Sequence, residues 1–411
     1  MRAFCSFQVS PITVNDFSHG HSKPMNSYFA EAISQAIERA QQLRERIPSH
    51  PSPEHLRLAN ECRESLDESI ERLEDLLNNP VFQNPNLQNL RLRGFSRVSR
   101  DIGLTETSAF VALERAQDHS DLYLTRLVER ICDEIGYPLP RPTVAAISQD
   151  YFAIDTRFDL LYVPPRECDY LLHLPDIYHE LGHPLLSKRY EKDAGCLAFQ
   201  EVSQSVFALA TQHLREQKQR QGALSGKAPQ KIAEALSLWE YCWRGGWTVE
   251  FLCDVFALAT LGPAFAWSHL HLCAKSGADI FELPTSPYDS HPADDARMTV
   301  LLLALSQMGF GSQAGEIQNR WQELQHISGA KAPPEFARCY PRALLKNMVD
   351  EILDGVRAMG CRIAAPDTDD AVHRLLNQAW EKFWNPLTPY VDWEKQAVCE
   401  LRRTTAELCV A

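Results

Sequence analysis

Apolar residues recur at helical spacing along most of this 411-residue chain, and they abandon it in one stretch, after the GYPLPRP break at residues 136–142. There TVAAIS (143–148) and FDLLYVPP (158–165) form short β-branched or aromatic runs around a polar turn near Asp155 and Thr156. Runs of that length and composition read as a small hairpin or two neighbouring strands. On either side the helical period holds. Ile33, Ile37, Ala40, Leu43 and Ile47 share a stripe that stops at IPSHPSP, and Ala59, Cys62, Leu66, Ile70, Leu73 and Leu77 share a second that stops at NNP. A further helical pattern runs from Ser108 to Ile135, and AGEIQNRWQELQHI, ALLKNMVDEILDGVRAM and AVHRLLNQAWEKFW continue it beyond Val300. The expected fold is mainly α with a small β-sheet, an α+β class.

This pattern divides the chain into an N-terminal arm (1–26), a helical hairpin region (27–105), a core (106–310) and a C-terminal helical region (311–411). The outer faces of the hairpin are dense in Glu and Arg. They are a candidate surface for a protein partner, although a solvated face explains the same charges. Acidic residues outnumber basic ones, 54 to 41, for a net charge of −13. Phosphate binding needs clustered Lys and Arg, so nucleic acid is not an expected partner. The twelve cysteines include no C-x-x-C pair, and no charged-then-apolar leader opens the chain. The longest apolar stretches, at 251–267 and 300–305, are short or interrupted by Asp254 and Pro263, so no membrane span is expected. These features read as a soluble cytoplasmic protein.

The segment DIYHELGHPLL (176–186) places His179 and His183 four residues apart around Glu180. Positions i and i+4 stand one above the other on a helix, so both imidazoles can face one ion while Glu180 flanks it. Two histidines and a carboxylate able to take a proton from water are what H-E-x-x-H needs to hold zinc and work beside it. A catalytic zinc takes a third protein ligand and keeps one position open. WTVEFLCDVFALA (247–259) offers Glu250 and Asp254, again four apart in an apolar run. Buried without partners they would cost several kcal/mol. A cation bound by Glu250, with Asp254 accepting the spare N–H of a ligating histidine, removes that cost. The plainer alternative turns both to solvent or pairs them with Arg244.

His179-Glu180-x-x-His183 followed by Glu250-x-x-x-Asp254 resembles the gluzincin zinc metallopeptidases, in which these two motifs lie on adjacent helices. Ser290-His291-Pro292 with Arg297 is similar to the S/T-H-P-x-x-x-x-R segment of the branch that includes the prenyl-protein endopeptidases and their soluble bacterial relatives. The resemblance spans roughly residues 137–305. It implies a zincin-like catalytic core with N- and C-terminal helical additions. It further implies zinc on His179, His183 and Glu250, Glu180 as general base, Asp254 behind the ligands and His291 as oxyanion donor. Tyr288 is the alternative donor, since a phenol can fill that role.

Two departures stand out. The membrane spans usual in that branch are missing, and Pro184 directly follows the second histidine, which predicts that the helix ends or kinks there. Gly182, costly inside a helix by about 1 kcal/mol, makes sense if a strand or substrate backbone passes close by. His269 and His271 are placed off the site, His173 on its approach, and Tyr178 and Trp247 in the core or cleft wall. A flexible His19-x-His21 carries no assignment. The expected activity is zinc-dependent hydrolysis of peptide bonds in a peptide or protein substrate, with a strand near Ala153 or Leu160 as the edge along which the substrate pairs. The alternatives are a catalytically silent zinc-binding helical scaffold, or a metal-dependent hydrolase of non-peptide amides or esters.

Overall fold

A computed structural model of the chain describes residues 25–115, 119–148, 151–165, 167–222, 227–385, 387 and 389–407. Apart from Met25 and Asn26, the arm with His19 and His21 lies outside them. The chain separates into two compact units. One takes the described residues up to Ile47 together with Arg63–Glu106; the other takes Pro48–Cys62 and Thr107 onward.

Helices α1 (Met25–Arg46), α2 (Pro53–Asn78) and α3 (Gln88–Thr105) supply the first unit, the early turns of α2 belonging to the second. The predicted stripes are the buried ones: Ile33, Ala40, Leu43, Leu66 and Leu73 are closed off from solvent. Arg91 is buried in α3 and donates from Nε to the Leu76 carbonyl at 3.0 Å, while its Nη1 makes no hydrogen bond.

The second unit is mainly α with one small sheet, as the broken periodicity predicts. After α4 (His119–Ile135) come β1 (Thr143–Ala145), β2 (Ala153–Asp155) and β3 (Leu160–Tyr162). The strand order is β1-β3-β2, with β3 parallel to β1 and antiparallel to β2. Leu161 is paired on both sides, with Val144 and Ile154. Of the two strands considered as a free edge, β3 is therefore central and β2 is an edge. The helix expected from Ser108 to Ile135 is divided: a wide turn at Glu106–Phe110 runs on through a helical turn at Val111–Glu114, which ends at Arg115, and α4 starts at His119.

The motif residues follow on α5 (Asp176–Glu180) and α6 (Gly182–Leu185). Then come α7 (Ala194–Gly222), α8 (Lys227–Cys242), α9 (Thr248–Leu261) and α10 (Pro263–Ser276). The chain continues through α11 (Asp294–Gln307), α12 (Gly311–Ser328), α13 (Arg342–Ala358), α14 (Ala371–Trp384) and α15 (Tyr390–Glu407). Thirteen of the fourteen residues of α9 are buried, which is what a helix apolar on every side requires. It forms the axis of the unit, touched by α5, α6, α7, α10, α11 and α13. Gly262, at φ 81°, turns the chain from α9 into α10, and Pro263 supplies the first residue of the new helix. No helix among the described residues is long and apolar enough to cross a membrane.

Candidate metal centre

Local sequence decides how the motif sits. His179 and His183 are one turn apart with ring centroids 5.1 Å from each other. Pro184 has no N–H to give to the carbonyl of Glu180, so the helical ladder is interrupted. The break predicted at Pro184 is found one turn upstream, at Leu181, and α6 runs on to Leu185, two residues past His183. The phenol of Tyr137 donates to the Leu181 carbonyl at 2.8 Å, holding the junction from the side. Gly182 has a different neighbour from the strand or substrate expected there. It lies against α9, and a Cβ on it would come within 2.9 Å of both Cα and Sγ of Cys253. A side chain at 182 would push the motif helix off the helix that carries Glu250.

That close approach brings the two motifs together. Glu250 Oε2 lies 3.3 Å from His179 Nε2. Asp254 Oδ1 lies 2.9 Å from His179 Nδ1, a short approach whose angle departs from a linear hydrogen bond. Asp254 is fully buried and grips Arg297 with both oxygens, at 2.8 Å to Nε and 2.6 Å to Nη2. Arg297, not Arg244, is thus the cation that neutralises it. His291 Nε2 stands 3.6 Å from the same Glu250 oxygen, and His183 Nε2 is 4.0 Å from Glu180 Oε2.

The donor set can be tested for a metal on its own geometry. Glu250 Oε2 is buried and makes no hydrogen bond, an expensive condition for a carboxylate oxygen. Ligands at 2.0–2.1 Å from a tetrahedral zinc are about 3.3 Å apart along each edge. The spacing between Glu250 Oε2 and His179 Nε2 has that value. Around the motif, the ligand atoms that come together within 4.8 Å of one another are those of His179, His183 and Cys253, and Glu250 reaches His179 at 3.3 Å.

The carboxylates hold a proton on His179, which a metal would have to displace in order to bind there. Burial opposes a charge on His179, yet the carboxylates of Asp254 and Glu250 prevail and hold its imidazole up at about 10. Burial and the positive charge of His179 push His183 down to about 4, so it is neutral and able to ligate. Glu250 ionises against burial, drawn down to about 2 by His179 and Arg297. Burial, tempered by His179 and reinforced by Glu250 and Asp176, raises Glu180 to about 7. The two neighbouring carboxylates are driven apart, Glu250 toward the ionised form and Glu180 toward proton exchange near neutrality.

The remaining candidates fall outside this cluster. The Tyr288 side chain is 87 % exposed. His173 pairs with Glu167 at 2.7 Å and meets Lys275 at 3.3 Å. His269 is buried and donates to the Asp294 carbonyl at 3.2 Å, while His271 stacks on His173. Tyr178 and Trp247 are fully buried. One donor escaped the sequence reading. Cys253 places its thiol within 4.8 Å of ligand atoms of His179 and His183. Its position, three residues after Glu250 on the same helical face, was the available signal. No family model, curated protein or solved structure matches the chain in the comparisons made with it.

Proposed function

We propose that the chain is a zinc-dependent peptidase of zincin-like architecture, with His179, His183 and Glu250 as the metal ligands. The observation that carries this reading is the buried Glu250 Oε2, which makes no hydrogen bond and lies 3.3 Å from His179 Nε2 across two helices. Zinc held there would supply Lewis-acid polarisation of a peptide carbonyl and of water at neutral pH. Glu180 takes the proton of the attacking water on its carboxylate and returns it to the leaving amine, work suited to a group poised at about 7. His291, with Nδ1 3.0 Å from Ser290 Oγ and Nε2 3.6 Å from Glu250 Oε2, donates from Nε2 to the developing oxyanion. Asp254, fixed by Arg297, orients the His179 ring from behind. The edge strand β2 offers main-chain groups to an extended peptide, which gives sequence-tolerant binding. Nine cysteines among the described residues are free thiols, in keeping with a reducing, cytoplasmic setting.

One observation favours the silent-scaffold alternative. Cys253 could join the two histidines and Glu250 as a fourth donor, and structural zinc sites are closed in that way. Zinc content and hydrolysis of a mixed peptide library by the native chain and Glu180→Gln decide between them. The peptidase reading expects about one zinc in both and turnover in the native chain alone. Zinc without turnover in either leaves the scaffold.

A further inference from the structure

We propose that Gly246 and Trp247 are positioning residues that hold His291 over the metal centre, an inference that rests on the peptidase reading for the role of His291. The His291 side chain is 64 % exposed, so burial does not hold it in place. Its position relative to Glu250 must come from the backbone beneath it, and that backbone is fastened to the turn that starts α9.

The turn Trp243–Trp247 is widened, with Gly245 at φ −88°, ψ −114°, outside helical values. The departure brings Gly246 against the loop: a Cβ there would lie 2.2 Å from the Ser290 carbonyl oxygen and 2.9 Å from its carbon. No side chain fits without moving the Ser290–His291 peptide. The next residue, Trp247, donates from Nε1 to the Asp289 carbonyl at 3.1 Å. Asp289 in turn closes the loop on itself, its Oδ2 accepting the amides of Thr285 at 2.8 Å and Ser286 at 3.0 Å. Past the histidine, the Ala293 amide donates to the Tyr340 phenol at 3.1 Å, and Tyr340 stacks on Trp247 at 5.0 Å. Trp247 is three residues before Glu250, so less than one turn of chain fixes both the carboxylate and the backbone that presents His291. The 3.6 Å spacing between Glu250 Oε2 and His291 Nε2 is set by that shared anchor.

The test uses the full chain with Trp247→Phe, which keeps the aromatic stacking and loses the indole N–H, together with Gly246→Ala, His291→Ala and the pairwise combinations with His291→Ala. Amide exchange over residues 284–292, zinc content, and kcat and KM on one library-selected peptide are read for each. We expect Trp247→Phe to raise exchange in the loop and lower kcat by about tenfold, the scale of one lost hydrogen bond, with zinc content and KM unchanged. Gly246→Ala moves in the same direction and further. Neither adds to the loss caused by His291→Ala. Native loop exchange in Trp247→Phe, or a kcat loss that multiplies fully with that of His291→Ala, overturns the proposal. If His291→Ala turns over like the native chain, the assigned role of His291 falls instead, and the exchange rates still report whether the anchor holds the loop.

Discussion

Arg297 and Asp254 meet in a two-pronged ion pair, with nitrogen–oxygen distances of 2.8 and 2.6 Å, and the same carboxylate reaches 2.9 Å from His179 Nδ1. The ring of the first histidine is therefore flanked by a carboxylate that is itself neutralised from a third helix.

Removing the cation from this chain of contacts leaves a buried charge without its partner. Arg297→Met should destabilise the protein by about 3–5 kcal/mol, as breaking other buried pairs does. Zinc affinity should fall by about 10–100-fold, because the imidazole loses its fixed orientation. Urea unfolding of the metal-free protein and competition with a chelator measure the two effects. A stability loss below about 1 kcal/mol would mean that Arg297 contributes as a surface pair does.

Two residues compete to be the third donor. Glu250→Ala should abolish stoichiometric zinc binding, whereas Cys253→Ala should keep it, since Glu250 carries the unpartnered oxygen at coordination spacing. Metal analysis after dialysis settles the point, and the opposite result assigns the site to the thiol.

Gly182→Ala tests the contact between the motif helix and α9. Alanine is the better helix former by about 1 kcal/mol, but its methyl would overlap the backbone of Cys253. Overpacking at such a contact costs about 1–3 kcal/mol, so a net loss of stability and a lower melting temperature are expected. An unchanged or raised melting temperature would show that the helices separate freely.

Acid sensitivity should come in part from His271. Burial, with His173 and Lys275 nearby, depresses its folded pKa to about 4 from an ordinary 6.5. Between those values the unfolded chain binds the proton and the folded one does not, so stability rises with pH across the window. The contribution is complete above about 6.5 and is lost as pH falls toward 4. His55 and His373, also lowered by burial, act with the same sign. Denaturation midpoints measured from pH 4 to 7 should show a shallower acid limb in His271→Gln than in the native chain. Identical slopes would remove His271 from the account.

Much of the fold was legible because periodicity reports burial directly. The stripe through Ala59, Cys62, Leu66 and Leu73 is buried, and the one stretch without helical period became the sheet. Register and topology were not legible: Leu161 pairs on both sides because β1 runs parallel to β3, a long-range choice that no short run specifies. At the centre, spacing of four placed His179 with His183 and Glu250 with Asp254, and the structure puts the pairs side by side. Spacing could not show that Pro184 acts one turn upstream, since its effect falls on the partner of the missing N–H. Nor could it show that Gly182 answers to Cys253, a neighbour created by the packing of two helices far apart in sequence.

Asn377 on α14 grips both sides of the Gly262 corner, donating to the Leu261 carbonyl at 2.9 Å and accepting from the Ala264 amide at 3.0 Å. Nearby, the Ala364 amide donates to the Ala259 carbonyl at 2.8 Å, so residues from beyond 360 latch the far end of the helix whose first turn carries Glu250. The chain beyond residue 360 is therefore part of the fastening of that helix. Trimming the protein back to its motif-bearing segment would release that fastening, and a fragment ending near residue 310 should not keep the fold of this helix.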